Sequence, residues 1–167
     1  MLLTGTYART IEEKQRVTIP KPLRLALELG AGSALYVAPG TDLSLAIYPE
    51  KAFSQLAERL ALASPTASEV RDFTRMFYAR ASRVEPDRQA RVRIPQDLVD
   101  LAGLKKNVVL AGVGDHMELW DADRWEKYLE EKLARYDDIA ESAFGRPPQT
   151  APTDRLAAPG ARATNPK

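Results

Sequence analysis

The chain has 167 residues, with 24 Lys and Arg against 23 Asp and Glu, a net charge of +1. A hydrophobic share of 44% beside 28% charged residues belongs to a chain that folds around a core, and no run of 18 apolar residues is present to span a membrane. Zero cysteines exclude disulfides, thiolate metal sites and a cysteine nucleophile.

In chain order, Met1–Gly5 has neither the basic flank nor the apolar stretch of a secretory signal, so a cytoplasmic protein is expected. Arg16-Val17-Thr18-Ile19 alternates polar and apolar and predicts a half-buried strand with Val17 and Ile19 inward. Pro20 ends that strand and suits the first turn of a short helix, with Gly30 as its expected end. Leu35–Ala38 and Leu43–Tyr48 read as a hairpin around Pro39-Gly40. From Pro49, the residues Phe53, Leu56, Ala57 and Leu60 recur at helical spacing. Thr66–Ala79 reads as a connecting helix, with Thr66 and Glu69 at capping-box spacing and Val70, Phe73 and Phe77 on one face.

The same grammar then repeats. Glu12-Glu13-Lys14-Gln15-Arg16-Val17-Thr18-Ile19-Pro20 matches Asp87-Arg88-Gln89-Ala90-Arg91-Val92-Arg93-Ile94-Pro95 at an offset of 75 residues. After Gly103 the offset becomes 72, aligning Ile47-Tyr48 with Leu119-Trp120 and Phe53 with Trp125. A three-residue difference in one connection is an ordinary loop indel. The second copy therefore predicts a strand at Arg91–Ile94 and a hairpin of Val108–Ala111 with His116–Trp120. A closing helix follows, capped by Asp121, with Trp125, Tyr128, Leu129, Leu133 and Tyr136 on its apolar stripe. From Gly145 the chain is rich in Pro, Ala, Thr and Gly without periodicity, which predicts disorder. The expected organisation is a first repeat at 1–64, a helical connector at 65–80, a second repeat with its C-terminal helix at 81–142, and a disordered tail at 143–167.

The near-zero net charge conceals a strong asymmetry. Tyr7–Arg24 carries five bases against two acids, as does Arg80–Arg93, whereas Asp115–Ser142 carries ten acids against four bases. No catalytic constellation accompanies this. The single histidine, His116, precedes inward-facing Met117 and is expected to face solvent. No phosphate-binding glycine loop occurs, and Asp121-Ala122-Asp123 beside Glu118 lacks the glycine and terminal glutamate of a calcium loop. Trp120 and Trp125 read as core or interface aromatics. No enzyme, cofactor or metal is expected.

What both copies share on the polar side is an acid four residues before an arginine: Glu12 with Arg16, and Asp87 with Arg91. Across a tight turn the acid can hold the guanidinium by charge-assisted hydrogen bonds, leaving a preorganised fork that fits guanine or phosphate. Lys14, Arg88 and Arg93 are placed to contact phosphates.

These loops, with Ile-Pro after each, the early Gly5-Thr6-Tyr7, Phe73–Ala79, Ala102-Gly103-Leu104, Val113-Gly114-Asp115 and Leu119-Trp120 through Trp125, resemble the MraZ family over residues 1 to about 140. The resemblance implies an α+β, mainly β fold: a duplicated SpoVT-AbrB-type swapped-hairpin β-barrel that forms an intramolecular pseudo-dimer with flanking helices. It also implies a nucleoid-associated transcriptional regulator, a repressor acting on the division and cell-wall gene cluster. Such a protein would bind double-stranded DNA at promoter direct repeats as a ring-shaped homo-oligomer. Its motif acids fall on Glu12 and Asp87 and its DNA-contacting arginines on Arg16 and Arg91. The family loop usually has glycine before the arginine, where this chain has Gln15 and Ala90. The alternative is an AbrB-type antitoxin or protein-partner module, using the Trp125/Tyr128/Tyr136 helix and the tail.

Overall fold

The computed structural model describes residues 2–30, 32–63 and 67–145. The chain forms two compact units, Met1–Glu130 and Glu131–Lys167. In chain order the elements are β1 (Thr6–Thr10), β2 (Arg16–Thr18), α1 (Lys21–Ala26), β3 (Leu35–Pro39), β4 (Leu45–Pro49), α2 (Glu50–Ala61) and α3 (Ser68–Arg80). They continue as β5 (Ser82–Val84), β6 (Arg91–Arg93), α4 (Gln96–Leu101), β7 (Asn107–Gly112), β8 (Met117–Asp121), α5 (Ala122–Leu133) and α6 (Tyr136–Phe144). A single 3-10 turn, Glu13–Gln15, leads into β2.

The architecture is mixed α+β with every strand pair antiparallel. Six strands form one sheet in the order β1-β7-β8-β4-β3-β5, and β2 pairs with β6 as a separate ribbon. The register explains how the repeat is used. The ribbon is centred on Val17 opposite Val92, and the β4–β8 pair is centred on Ala46 opposite Glu118. Both are pairs that the repeat makes equivalent, at offsets of 75 and 72, so each strand pairs antiparallel with its own counterpart. The edge strands are exchanged in the same sense: β1 of the first half lies on β7 of the second, and β5 of the second half lies on β3 of the first.

Alternation supplies the core. Val17, Ile19, Val92 and Ile94 from the ribbon meet Leu35, Val37, Leu45, Ile47, Leu110, Met117 and Leu119 from the sheet, with Leu23 of α1 and Leu98 of α4 closing the ends. Each of these side chains is essentially fully buried, a contribution of about 1.5–3 kcal/mol apiece. On the other face of the sheet, Tyr36 stacks on Phe53 of α2 at 4.3 Å, and Phe77 of α3 stacks on Phe53 at 5.9 Å. In the second half Trp120, Trp125 and Tyr128 form the corresponding cluster.

Several expectations need correction. The strands β1 and β5 add to the elements that the sequence predicts. The second strand of the first hairpin begins at Leu45, because Asp42 and Leu43 have φ of 54° and 61° and form the turn. The helix after β2 ends well before Gly30: Leu27 is its C-cap, and Glu28, with φ 52°, takes the left-handed position that Gly103 (φ 56°) takes in the second half. Tyr136 is not on the α5 stripe, since α5 stops at Leu133 and Tyr136 opens α6. Charge favours the break there, with Lys132 in the last turn of α5 and Asp137 and Asp138 in the first turn of α6, each matched to its helix dipole. His116 does not point into solvent. Its side chain is 20% exposed, its ring stacks on Tyr48 at 4.6 Å, and Nδ1 lies 2.7 Å from Asp115 Oδ1. Burial, and then the charges of Asp115 and Glu118, push the Tyr48 hydroxyl above its ordinary value.

Thr66, half of the expected capping box, and residues 146–167 of the expected tail lie outside the described residues. Gly145 follows α6 directly, so the helical part of the chain runs to Phe144. Among the described residues no helix is long and apolar enough to cross a membrane.

Candidate nucleic-acid interface

Pairing β2 with β6 gathers the predicted site residues on one surface. Because Val17 and Val92 point into the core, Arg16, Thr18, Arg91 and Arg93 share the opposite face of the ribbon. In register, Arg16 stands directly across from Arg93 and Thr18 from Arg91. The two loops flank this face and brace one another through the backbone. Ile19 N–H donates to Ala90 O and Ile94 N–H donates to Gln15 O, each at 2.9 Å, which is one reciprocal contact made twice.

The second loop is a closed clamp. Asp87 N–H donates to Arg91 O, and Ala90 N–H donates to Asp87 O, which ties the turn at both ends. Asp87 Oδ1 accepts the backbone N–H groups of Gln89 and Arg91, each at 2.9 Å. Asp87 Oδ2 accepts Arg91 Nε at 2.8 Å and sits 2.7 Å from Nη2. The Arg91 side-chain hydrogen bond, then its backbone N–H, holds the Asp87 carboxyl below the usual carboxylate range. In return Asp87 raises the guanidinium further. Ala90 completes the turn at φ 57°, a conformation glycine would adopt without strain.

The first loop departs from that pattern. Glu12 N–H donates to Arg16 O at 2.8 Å, so the backbone closes in the same way. Its carboxylate, however, does not hold Arg16. Oε2 lies 3.3 Å from Arg91 Nη1 and Oε1 accepts the Thr18 hydroxyl at 3.4 Å. Arg16 Nε donates instead to the Glu13 carbonyl at 3.3 Å. The expected Glu12–Arg16 pair is therefore replaced by one across the repeat. The longer glutamate reaches over the ribbon to the arginine of the other half. The loop also carries two consecutive left-handed residues, Lys14 at φ 61° and Gln15 at φ 55°.

Electrostatically, the two arginine loops are no longer equivalent. Arg91 is 21% exposed and lies between two carboxylates. Of its five N–H groups three are engaged, which leaves one on each terminal nitrogen. Arg16 and Arg93 face one another with no carboxylate within ion-pair distance among the described residues. Like charges directly opposite in a ladder are destabilising. Lys14 and Arg88 are exposed at the two loops, and Arg88 lines a groove with Arg24 of α1. Sequence reasoning missed Thr18, whose hydroxyl donates to Glu12, and Arg9, whose Nε donates to Thr18 O at 3.2 Å and extends the basic face. The basic run Tyr7–Arg24 held both, but only the register shows that they belong to it. Among the described residues no cluster of His, Asp and Glu could hold a metal ion. Glu118 accepts Trp120 Nε1, Asp121 Oδ2 accepts Lys105 N–H, and Asp123 pairs with Lys105 Nζ.

A family model described as "MraZ protein, putative antitoxin-like" matches residues 2–76 and again 77–147. The chain belongs to the MraZ family. The two matches abut near the end of α3 and agree with the duplication read from the sequence. Among its relatives is a protein of Finegoldia magna named Transcriptional regulator MraZ, 38% identical over 140 residues that cover 84% of this chain and 95% of the relative. Proteins of the same name from Bifidobacterium longum and Cutibacterium acnes are 38% and 37% identical over 143 residues. Those alignments cover 86% of this chain, and 93% and 98% of the relatives respectively.

Proposed function

We propose that this MraZ-family chain is a sequence-specific DNA-binding transcriptional regulator whose reading face is the β2–β6 ribbon. The observation that carries this reading is the Arg16–Arg93 pair, two cations held opposite each other without an acid. Phosphate is the anion that would relieve such a pair on a basic ribbon. Arg16, Arg93, Lys14 and Arg88 supply the backbone contacts, and Arg91, oriented by Asp87 and Glu12, keeps two N–H groups for a base edge. The names of the relatives support regulation of transcription.

In its finer form the proposal has four parts. The halves are SpoVT-AbrB-type repeats, 1–64 and 81–142, joined by 65–80 into a swapped-hairpin pseudo-dimer, followed by the 143–167 tail; the exchange of β1 and β5 supports this. The protein is nucleoid-associated and cytoplasmic. It represses the division and cell-wall gene cluster from direct repeats in its own promoter. It does so as a ring, because linked sites raise avidity by roughly 10²–10⁴ over a single contact, which lets a chain of net charge +1 hold a polyanion.

The test is an anisotropy titration against DNA upstream of the protein's own gene, at two salt concentrations. Arg16→Ala/Arg91→Ala and Arg16→Ala/Arg93→Ala variants run alongside, with folding checked by urea denaturation. Wild type should bind three tandem repeats far more tightly than one, with each phosphate contact adding about 0.9 to the logarithmic salt slope. The variants should lose affinity, and Arg16→Ala/Arg93→Ala, which removes two phosphate contacts where Arg16→Ala/Arg91→Ala removes one, should flatten the slope more. Equal binding of one and three repeats would remove the avidity argument, and unchanged binding by both variants would remove the site.

A further inference from the structure

An apolar groove of about 350 Å³ opens between α3 and the β3–β4 turn, walled by Leu43, Phe73, Met76, Phe77 and Leu101 with Arg80 at its rim. Its floor is fixed. Phe77 is buried and stacks on Phe53, Phe73 stacks on Phe77 at 5.4 Å, and Tyr48 packs edge-on against Phe77. Its walls are open: Leu43, Phe73 and Met76 are 58%, 49% and 67% exposed. A contiguous apolar surface with a polar rim is the mark of an interaction site.

The chain carries a segment of matching character. At about 100° per residue, Tyr136, Ile139, Ala140, Ala143 and Phe144 occupy one side of α6, while Asp137, Asp138 and Glu141 occupy the other. Tyr136, Ile139 and Phe144 are exposed, Phe144 by 90%. The helix has acids in its first turn and no base in its last. At the groove the charge is opposite: Arg80 is the one charged residue of its lining and has no carboxylate within ion-pair distance among the described residues. Apolar face and charge therefore both complement the groove.

We propose that the groove receives α6 of a second copy of this chain, its apolar side against Phe73, Met76 and Leu43 and its acids toward Arg80. This rests on the assembly reading above and names the surfaces that would build it. The groove belongs to the first half of the fold and α6 follows the second half, so the contact is heterologous. Each copy fills one neighbour's groove and offers its own to another, which closes into a ring when the rotation permits.

Two variants of the full chain test it, each altering exposed residues: Phe73→Asp/Met76→Asp in the groove and Ile139→Asp/Phe144→Asp on the helix. Sedimentation velocity of each alone should show association weakened about 30-fold or more, the scale of a lost apolar anchor, with urea midpoints near wild type. Mixed in equal amounts, they should form a 1:1 complex that grows no further, since one intact groove and one intact helix remain. A misfolded variant would not complement, so the mixture guards the result. Wild-type assembly in both variants, or no complex on mixing (the outcome if α6 seats on its own chain), overturns the proposal. Both variants should retain the weak binding of a single DNA repeat. If wild type assembles through these surfaces yet binds no DNA, the regulator reading fails and this one stands.

Discussion

Replacing Arg93 with threonine should make the protein more stable and a poorer DNA binder at once. Arg93 occupies the position equivalent to Thr18, and Thr18 already pairs across the ribbon with Arg91 as Arg93 pairs with Arg16. Threonine is thus a residue this ribbon accommodates at that register, and its β-branched side chain suits a strand. The substitution removes a like-charge pair whose Cβ atoms lie about 4.5–5.5 Å apart in a ladder, an arrangement costing roughly 0.2–1 kcal/mol. Both side chains lack an acid among the described residues to offset it. Urea denaturation of Arg93→Thr should therefore show a gain of about 0.2–1 kcal/mol at low salt. That gain should shrink by 0.5 M salt, where exposed charges are screened. DNA affinity should fall in the same variant, with a salt slope reduced by about 0.9 if one phosphate contact is lost. A destabilised variant, or a gain that ignores salt, would mean that Arg93 is held by contacts other than repulsion from Arg16. Undiminished DNA binding would refute the link between this pair and nucleic acid.

Gln15→Gly relieves a residue at φ 55° and should raise stability by about 1 kcal/mol in denaturant melts. Ala90→Gly should gain less, because its buried methyl is lost along with the strain. Asp87 has a depressed carboxyl pKa, so the stability it adds is present above the ordinary value of 3.8 and disappears as pH falls through the lower folded value. The stability difference between wild type and Asp87→Asn should accordingly be constant near neutrality and close as urea melts are taken to pH 2, whereas a gap independent of pH would assign the effect to packing. Leu110→Ala removes a fully buried residue paired with both Tyr7 of β1 and Leu119 of β8, and calorimetry should show a loss of about 2–5 kcal/mol.

Local patterning carried much of this molecule. The Arg16–Ile19 and Arg91–Ile94 alternations, the hairpin turns and the helical spacing after Pro49 each express a rule that acts within a few residues. The missed strands share one cause, namely pairing between distant halves. Thr6–Thr10 has only Tyr7 and Arg9 partly buried, so its alternation is faint, and its ladder partner is a hundred residues away in β7. Ser82–Val84 is three residues long and pairs with β3. The candidate site divides along the same line. The Asp87–Arg91 clamp is local, so its four-residue spacing revealed it. The reach of Glu12 to Arg91 and the Arg16–Arg93 opposition depend on the β2–β6 register, which no spacing encodes. His116 shows the same limit from the core side: its strand parity pointed outward, but Tyr48 on the neighbouring strand covers it.

Fusing the two copies also frees them to differ, and they have diverged at the proposed reading face. In a homodimer of identical units, both loops would carry the same residues and the reading face would be two-fold symmetric, suited to a palindromic site. Here Glu12 is the equivalent of Asp87, Glu13 of Arg88, Thr18 of Arg93 and Gln15 of Ala90. One arginine is clamped by two acids and the other is left beside a second cation. The ribbon therefore keeps two-fold geometry in its backbone while its charge has a direction. In the proposed ring, a directional reader would meet the same half-site in the same orientation at every step, which is the property that distinguishes direct repeats from palindromes. Inverting one repeat within a three-repeat probe should then cost nearly as much affinity as deleting it.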